Sequence, residues 1–192
     1  MGKTTKTTKT TRTDRPFPIV LGLGSNLGDR GTHLRWAIQR LEERLGRLEV
    51  APLYRSRPIS PIAQGDYLNT VVLAQPGDTQ PPPESLLRAV KALEFEAGRR
   101  PGPRFGPRPL DIDLLLHGSH VLEDTEPPLA DGTPQGLTLP HPRLTQRRFV
   151  LAPLADLVPD LPIPPEGRTV AQWLAELGDD QPIERVSWPD SV

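Results

Sequence analysis

The apolar positions of this 192-residue chain recur with two periods, helical and extended, and their succession predicts the order of its elements. Phe17 to Gly24 (FPIVLGLG) is an apolar run that reads as a first strand, ending in the turn Ser25-Asn26-Leu27-Gly28. The GLGSN glycines have neither the Walker spacing with a following Lys-Ser/Thr nor the GxGxxG fingerprint, so they are assigned to a tight strand-to-helix turn. From Arg30 to about Leu45, residues Leu34, Ala37, Ile38, Leu41 and Leu45 recur at helical spacing, and Gly46 stands where the helix should stop. Leu48 to Tyr54 forms a second strand interrupted by Pro52, hence an edge or a bulge. After a Pro-rich loop from Ser56 to Asp66, Tyr67 to Gln75 (YLNTVVLAQ) is a β-branched third strand. A second helix runs from about Glu84 to Ala97, with Leu87, Val90, Glu94 and Ala97 on one stripe and Gly98 as the cap residue. A loop dense in Arg, Gly and Pro (RRPGPRFGPRP) leads to the fourth strand, Leu110 to Leu116 (LDIDLLL).

The order β-α-β-β-α-β is the split βαβ of a ferredoxin-like α+β fold, an antiparallel sheet with helices on one face. Beyond His117 follow a long acidic, Pro- and Gly-containing excursion, a short strand at Leu137-Thr138-Leu139, a helix near Thr145 to Leu157 and a last helix near Val170 to Leu177. No second core is visible, so residues 17–192 are expected to form one domain.

Composition narrows the classes. Lys+Arg 23 against Asp+Glu 24 gives a net charge of −1, so no global field draws the chain to nucleic acid or membranes. The absence of cysteine excludes a disulfide scaffold, a thiolate metal site and a thiol nucleophile. No apolar run reaches the roughly 20 residues that span a bilayer, and no signal-peptide core follows Met1. With 25 prolines in 192 residues, well above the usual ~5%, long stiffened loops are expected around a compact centre. Residues 1–16 open with KTTKTTKTTRT, a cationic low-complexity stretch that reads as a disordered tail.

In LDIDLLL, alternation puts Asp111, Asp113 and Leu115 on one face and Leu110, Ile112, Leu114 and Leu116 on the other. Carboxylates two apart on a strand have Cβ atoms roughly 6.5–7 Å apart, close enough to converge on one hard cation or on two cations ~3.5–4 Å apart. The alternative is a pair of solvated carboxylates at the end of an edge strand. Arg99, Arg100, Arg104 and Arg108 precede the pair, and guanidinium groups match phosphate oxygens. A polyphosphate chelated to Mg²⁺ needs both halves; a basic loop neutralising acidic neighbours is the alternative. Glu94, on an apolar stripe, needs a partner: a loop arginine as scaffolding, or the nucleotide site. His141 lies between prolines and is followed by Arg143, Arg147, Arg148 and Phe149. Tyr67 and Asn69 share one face of the third strand, either as a receptor for a flat, hydrogen-bonding heterocycle or as a core tyrosine with a capping amide.

Taken together, Gly22-Leu23-Gly24-Ser25-Asn26, Tyr54-Arg55-Ser56, Asp66-Tyr67-Leu68-Asn69, Gly106-Pro107-Arg108-Pro109-Leu110-Asp111-Ile112-Asp113 and Pro140-His141-Pro142-Arg143 resemble the 6-hydroxymethyl-7,8-dihydropterin pyrophosphokinase family of folate biosynthesis. The resemblance runs from about Phe17 to the last helix. It implies transfer of the β,γ-diphosphoryl unit of ATP to the hydroxymethyl group of the dihydropterin, with release of AMP and two Mg²⁺ bridging the triphosphate. By the family's pattern Asp111 and Asp113 bind the metal, and Arg99 or Arg100, with Arg108, acts on the phosphates. Glu94, Arg104, Arg108, His141 and Arg147 would face the nucleotide. Tyr67 and Phe149 would sandwich the pterin, Asn69 would bond its edge, and Ser56, Arg57 and Ile59 would read its other polar atoms. The expected partners are these small molecules alone, for a cytoplasmic monomer that binds neither nucleic acid nor membrane.

Three features depart from the family: adjacent Arg99 and Arg100 in place of Arg-x-Arg, Phe105 where Trp is common, and a long 117–139 segment with an unexplained Glu123-Asp124-Thr125-Glu126 run. The competing class is a ferredoxin-like module that binds RNA or another ligand without catalysis. It requires a basic sheet face with exposed aromatics, and the third and fourth strands offer only Tyr67.

Overall fold

The structure, a computed structural model, describes residues 17–75, 77, 80–103, 105–124 and 136–189. The Thr/Lys-rich tail, Arg104 and residues 125–135 of the acidic excursion therefore lie outside the described residues.

Strand β1 (Ile19–Ser25) and strand β4 (Tyr67–Ala74) carry apolar side chains on both faces, so each must be covered twice. They form the centre of a sheet with β2 (Leu48–Val50), β3 (Leu53–Ser56), β5 (Asp111–His117) and β8 (Ile183–Val186). The order is β5-β1-β4-β3-β8, with β2 also pairing β4, and every pairing is antiparallel. This is the ferredoxin-like order extended by one edge strand. Pro52, without an N–H, divides the expected second strand into β2 and β3; Ala51 still reaches β4 through its N–H to Val71 O at 2.9 Å.

One face is covered by α1 (Arg30–Leu45) and α2 (Pro83–Glu96), whose Leu34, Leu41, Leu86, Val90 and Leu93 pack on Leu21, Leu23, Ile112 and Leu114. Asp29 caps α1 by accepting from Thr32 N at 3.0 Å, and Gly46 ends it with φ +76°. The two core helices thus lie on one face, as expected. The chain also wraps the opposite face with α3 (Arg148–Leu157) and, beyond the β6–β7 hairpin (Pro162–Ile163, Arg168–Thr169), α4 (Val170–Glu176). Val150, Leu151, Leu154 and Val170 meet Val20, Val71, Leu73, Leu115 and Leu116 there.

Leu116 was expected beside Leu114, yet it packs on the other face with Leu115. Pairing of Val20 with Leu116 but of Leu21 with Leu114 leaves Leu115 as the extra residue of a β-bulge, which turns two successive side chains the same way. The expected strand at Leu137-Thr138-Leu139 is only a bridge from Leu139 to Leu122. The expected helix from Thr145 begins at Arg148, after a 3₁₀ turn over Leu144–Gln146.

Candidate active site

The register of four strands lays out the site. On the α3 side of the sheet, Asp111 of β5 is opposite Gly24 of β1, Gly24 is opposite Asn69 of β4, and Asn69 is opposite Tyr54 of β3. Asp113 is likewise opposite Gly22. A residue without a side chain therefore stands between the carboxylates and Asn69, leaving a floor about two strand spacings (~9.6 Å) wide. The space is narrow in depth: a Cβ on Gly24 would come 3.2 Å from Asn69 Oδ1 and 3.5 Å from Tyr67 Cδ1, and one on Gly22 would meet Leu115. Gly22 and Gly24 are thus strand residues that clear the sheet face, correcting their assignment to the turn. Gly28, with φ +66°, is the glycine the turn requires. Two glycines two apart in an apolar run share one face, a signal that was present in the sequence.

Each carboxylate is met by cations through one oxygen. Asp111 Oδ1 accepts from Arg99 Nη1 at 2.6 Å and Arg108 Nη1 at 2.8 Å. Asp113 Oδ2 accepts from Arg147 Nη1 at 3.0 Å, at the start of α3, with His141 Nε2 3.9 Å away. The other oxygen of each takes no hydrogen bond from a described residue. Burial alone would raise the Asp111 carboxyl, but Arg108, Arg99 and Lys91 outweigh it and hold it below the usual carboxylate range. The side chain stays 25% exposed, within reach of a ligand.

Glu94 is scaffolding in this arrangement. It is 3% exposed, and its Oε1 accepts from Ile112 N at 2.7 Å and pairs with Lys91 at 3.1 Å and Arg99 at 2.6 Å. Burial pushes its carboxyl up despite the cations. Arg99 Nη1 bridges Glu94 and Asp111, so α2 and the end of β5 are joined through one guanidinium. Arg100 points elsewhere: its guanidinium stacks 4.2 Å over the exposed Phe95 ring and donates to the Phe95 and Arg99 carbonyls. Of the adjacent pair, Arg99 alone stands at the carboxylates.

His141 Nδ1 accepts from Arg143 N at 3.1 Å, which leaves the neutral ring's proton on Nε2, toward Asp113. Burial lowers its pKa against the pull of Asp113, so the ring is held neutral. Tyr67, its hydroxyl pKa raised by burial and then by Asp111, also stays uncharged beside the arginines.

On the far side of the floor, buried Asn69 donates from Nδ2 to Ser56 Oγ at 2.9 Å. Phe149 lies in the first turn of α3 with Arg147 5.6 Å over its ring. Arg57 and Ile59 (71% exposed) lie on the loop after β3, apart from these contacts. Sequence reasoning missed Asn26 and Gln64. Asn26 Oδ1 accepts from Arg108 N at 2.7 Å, and Asn26 Nδ2 donates to Gln64 Oε1 at 2.7 Å. Only the GLGSN motif pointed to Asn26, and nothing singled out Gln64.

Two carboxylates with open oxygens, ringed by arginines whose guanidinium groups match phosphate oxygens, suit Mg²⁺, which is held by one or two carboxylates plus substrate phosphates. Among the described residues no cluster of three or more His, Cys, Asp or Glu competes for it. Fold and site together fit a magnesium-dependent enzyme of phosphate chemistry, and the comparisons with known proteins make it an ATP-dependent diphosphotransferase. The 7,8-dihydro-6-hydroxymethylpterin-pyrophosphokinase family matches residues 20–159, and the chain belongs to it: it is a pyrophosphokinase of folate biosynthesis.

Relatives agree. The 2-amino-4-hydroxy-6-hydroxymethyldihydropteridine pyrophosphokinase of Pseudomonas aeruginosa is 38% identical over 159 residues, 82% of this chain and 90% of the relative. That of Methylorubrum extorquens is 38% identical over 168 residues, 86% and 96% of the two chains. A mitochondrial folate synthesis bifunctional protein of Arabidopsis thaliana is 37% identical over 157 residues, but this chain spans only 25% of its length. Among solved structures, Plasmodium falciparum HPPK-DHPS with pterin and p-hydroxybenzoate has a TM-score of 0.62 at 15% identity, over 86% of this chain and 44% of that one, a likeness of fold. None of the helices among the described residues is long and apolar enough to cross a membrane.

Proposed function

We propose that the chain transfers diphosphate from ATP to 6-hydroxymethyl-7,8-dihydropterin across the glycine-floored groove between Asp111 and Asn69. The hydroxymethyl oxygen attacks the β-phosphorus, forming an O–Pβ bond while the bond from Pβ to the oxygen bridging to Pα breaks. AMP leaves, and the hydroxyl proton passes to solvent. Positioning and charge account for the rate, without a dedicated protein base.

Asp111 and Asp113 would hold two Mg²⁺ through the oxygens the arginines leave open, and the ions would neutralise the triphosphate and polarise its bridging oxygens. Arg99 and Arg108 are placed to exchange Asp111 for phosphate oxygens, and Arg147 to do so from Asp113. Neutral His141 offers its Nε2–H to the nucleotide. Arg100 and Arg104 extend the same basic loop. On the acceptor side Tyr67 and Phe149 would face the two sides of the pterin and Asn69, with Ser56, its edge; Arg57 and Ile59 would cover it from their loop. Glu94 serves by holding Arg99. The chain would act on small molecules as a cytoplasmic monomer, and a net charge of −1 gives no global field toward nucleic acid.

The observation that supports this reading is the row Asp111–Gly24–Asn69, in which a single glycine separates the arginine-paired carboxylate from the buried amide. A coupled assay of AMP release, with and without the dihydropterin, tests it. AMP should form only when the pterin is present; no AMP release would favour a non-catalytic binding module, and pterin-independent release a hydrolytic role.

A further inference from the structure

Helix α3 lies across the sheet and is fixed to it by a polar contact at each end. Just before its start, Arg147 Nη1 donates to Asp113 Oδ2 of β5 at 3.0 Å. In its last turn, Asp156 Oδ2 accepts from the Tyr54 hydroxyl of β3 at 2.8 Å. Between these ends Val150, Leu151 and Leu154 bury apolar surface against the sheet. Such burial sets how closely the helix approaches, but it is non-directional. The turn of α3 about its own axis is therefore set by the polar contacts. The first belongs to the phosphate end already described, whereas the second meets neither the carboxylates there nor their arginines.

Tyr54 stands in the row that floors the groove. It is opposite Asn69 of β4 on one side and Arg185 of β8 on the other, so the row runs Asp111–Gly24–Asn69–Tyr54–Arg185. Burial, and then the Asp156 carboxylate, push its hydroxyl pKa up, which keeps the group a proton donor. Asp156 follows Phe149 by seven residues, two turns of helix, so the two share one stripe of α3. The helix is continuous from Arg148 to Leu157, across buried Pro153. The stripe that takes the Asp156 carboxylate to Tyr54 thus takes the Phe149 ring toward the sheet, where it packs on the core beneath α3.

We propose that Tyr54 and Asp156 are positioning residues for the acceptor: their hydrogen bond fixes the turn of α3 and so holds the Phe149 ring in place against the pterin. This rests on the function proposed above, in which Phe149 faces one side of the pterin. A binding side chain has to be held within about 0.5 Å of its productive place, and a helix free to turn by a few degrees moves the ring out of it.

Calorimetry on the full chain tests this, with Mg²⁺, saturating α,β-methylene ATP, in which the bond that must break is blocked, and 6-hydroxymethyl-7,8-dihydropterin as titrant. Tyr54→Phe and Asp156→Ala should each weaken pterin binding about 3- to 10-fold, the size of one lost hydrogen bond. The Kd of the analogue should stay within about twofold. Asp156→Asn keeps an acceptor for the hydroxyl and should bind pterin within about twofold of wild type. In a Phe149→Ala background the loss from Tyr54→Phe should vanish, because the ring through which it acts is gone. A merely structural role would lower the melting temperature in both backgrounds and leave the pterin Kd alone.

An unchanged pterin Kd in Tyr54→Phe and Asp156→Ala would overturn the positioning role while leaving the function standing. So would an equal loss from Tyr54→Phe with and without Phe149, or Asp156→Asn behaving like Asp156→Ala. A wild type that binds no pterin would overturn the function and the positioning role with it.

Discussion

Asp113 has one oxygen on Arg147 and the other open, with 28% of its side chain exposed. Removing it should disturb chemistry far more than stability. Asp113→Ala is expected to abolish AMP formation while its thermal melt stays near that of wild type; full activity in the variant would contradict a metal-holding role. Gly24 and Asn69 make the complementary case. A methyl at Gly24 lands against Asn69 Oδ1 and Tyr67, an overpacking cost of about 1–3 kcal/mol on the side proposed for the pterin. Gly24→Ala and Asn69→Ala should both weaken pterin binding and leave binding of the ATP analogue nearly unchanged, as read by calorimetry. Equal losses for both ligands would argue against a pterin-edge contact.

Among the elements, α2 and β5 depend on each other through Glu94. The carboxylate satisfies the Ile112 N–H and the Arg99 guanidinium inside the protein. Glu94→Ala leaves a buried donor and a half-buried cation unpaired and should cost roughly 2–3 kcal/mol, measured as a shift in urea midpoint. Glu94→Gln keeps an acceptor for Ile112 and should cost less.

Asp111 at the start of β5 gives the pH signature. Its folded pKa lies below the ordinary value, so its contribution to stability is present above the unfolded pKa of about 3.9 and is lost as pH falls through the lower folded value. Metal-free wild type should lose stability as pH falls below the unfolded value, and Asp111→Asn should show a flatter acid limb. Matching acid limbs would mean that the arginines do not hold the carboxylate.

Across the molecule, long periodic segments were legible and short ones were not. The repeat of Leu34, Ala37 and Leu41 set the bounds of α1, and β-branched Tyr67 to Gln75 marked β4. The β6–β7 hairpin and β8, each four residues or fewer per strand, carry no pattern that local sequence can distinguish from loop, because their place is fixed by pairing with distant chain. The bulge at Leu115 depends on register with β1 and defeated simple alternation. Of the site, the carboxylates and the arginine loop were readable because charge in an apolar strand is conspicuous. The roles of Gly24, Asn26 and Gln64 arise only when β1, β4 and two loops come together.

The central claim is diphosphate transfer across the Asp111–Gly24–Asn69 row, and the identity of the products tests it most directly. Phosphorus NMR of a reaction holding ATP, Mg²⁺ and 6-hydroxymethyl-7,8-dihydropterin should show AMP and a pterin diphosphate appearing in equal amounts, with neither formed by Asp113→Ala. ADP with a pterin monophosphate, or no product that depends on the pterin, would contradict it.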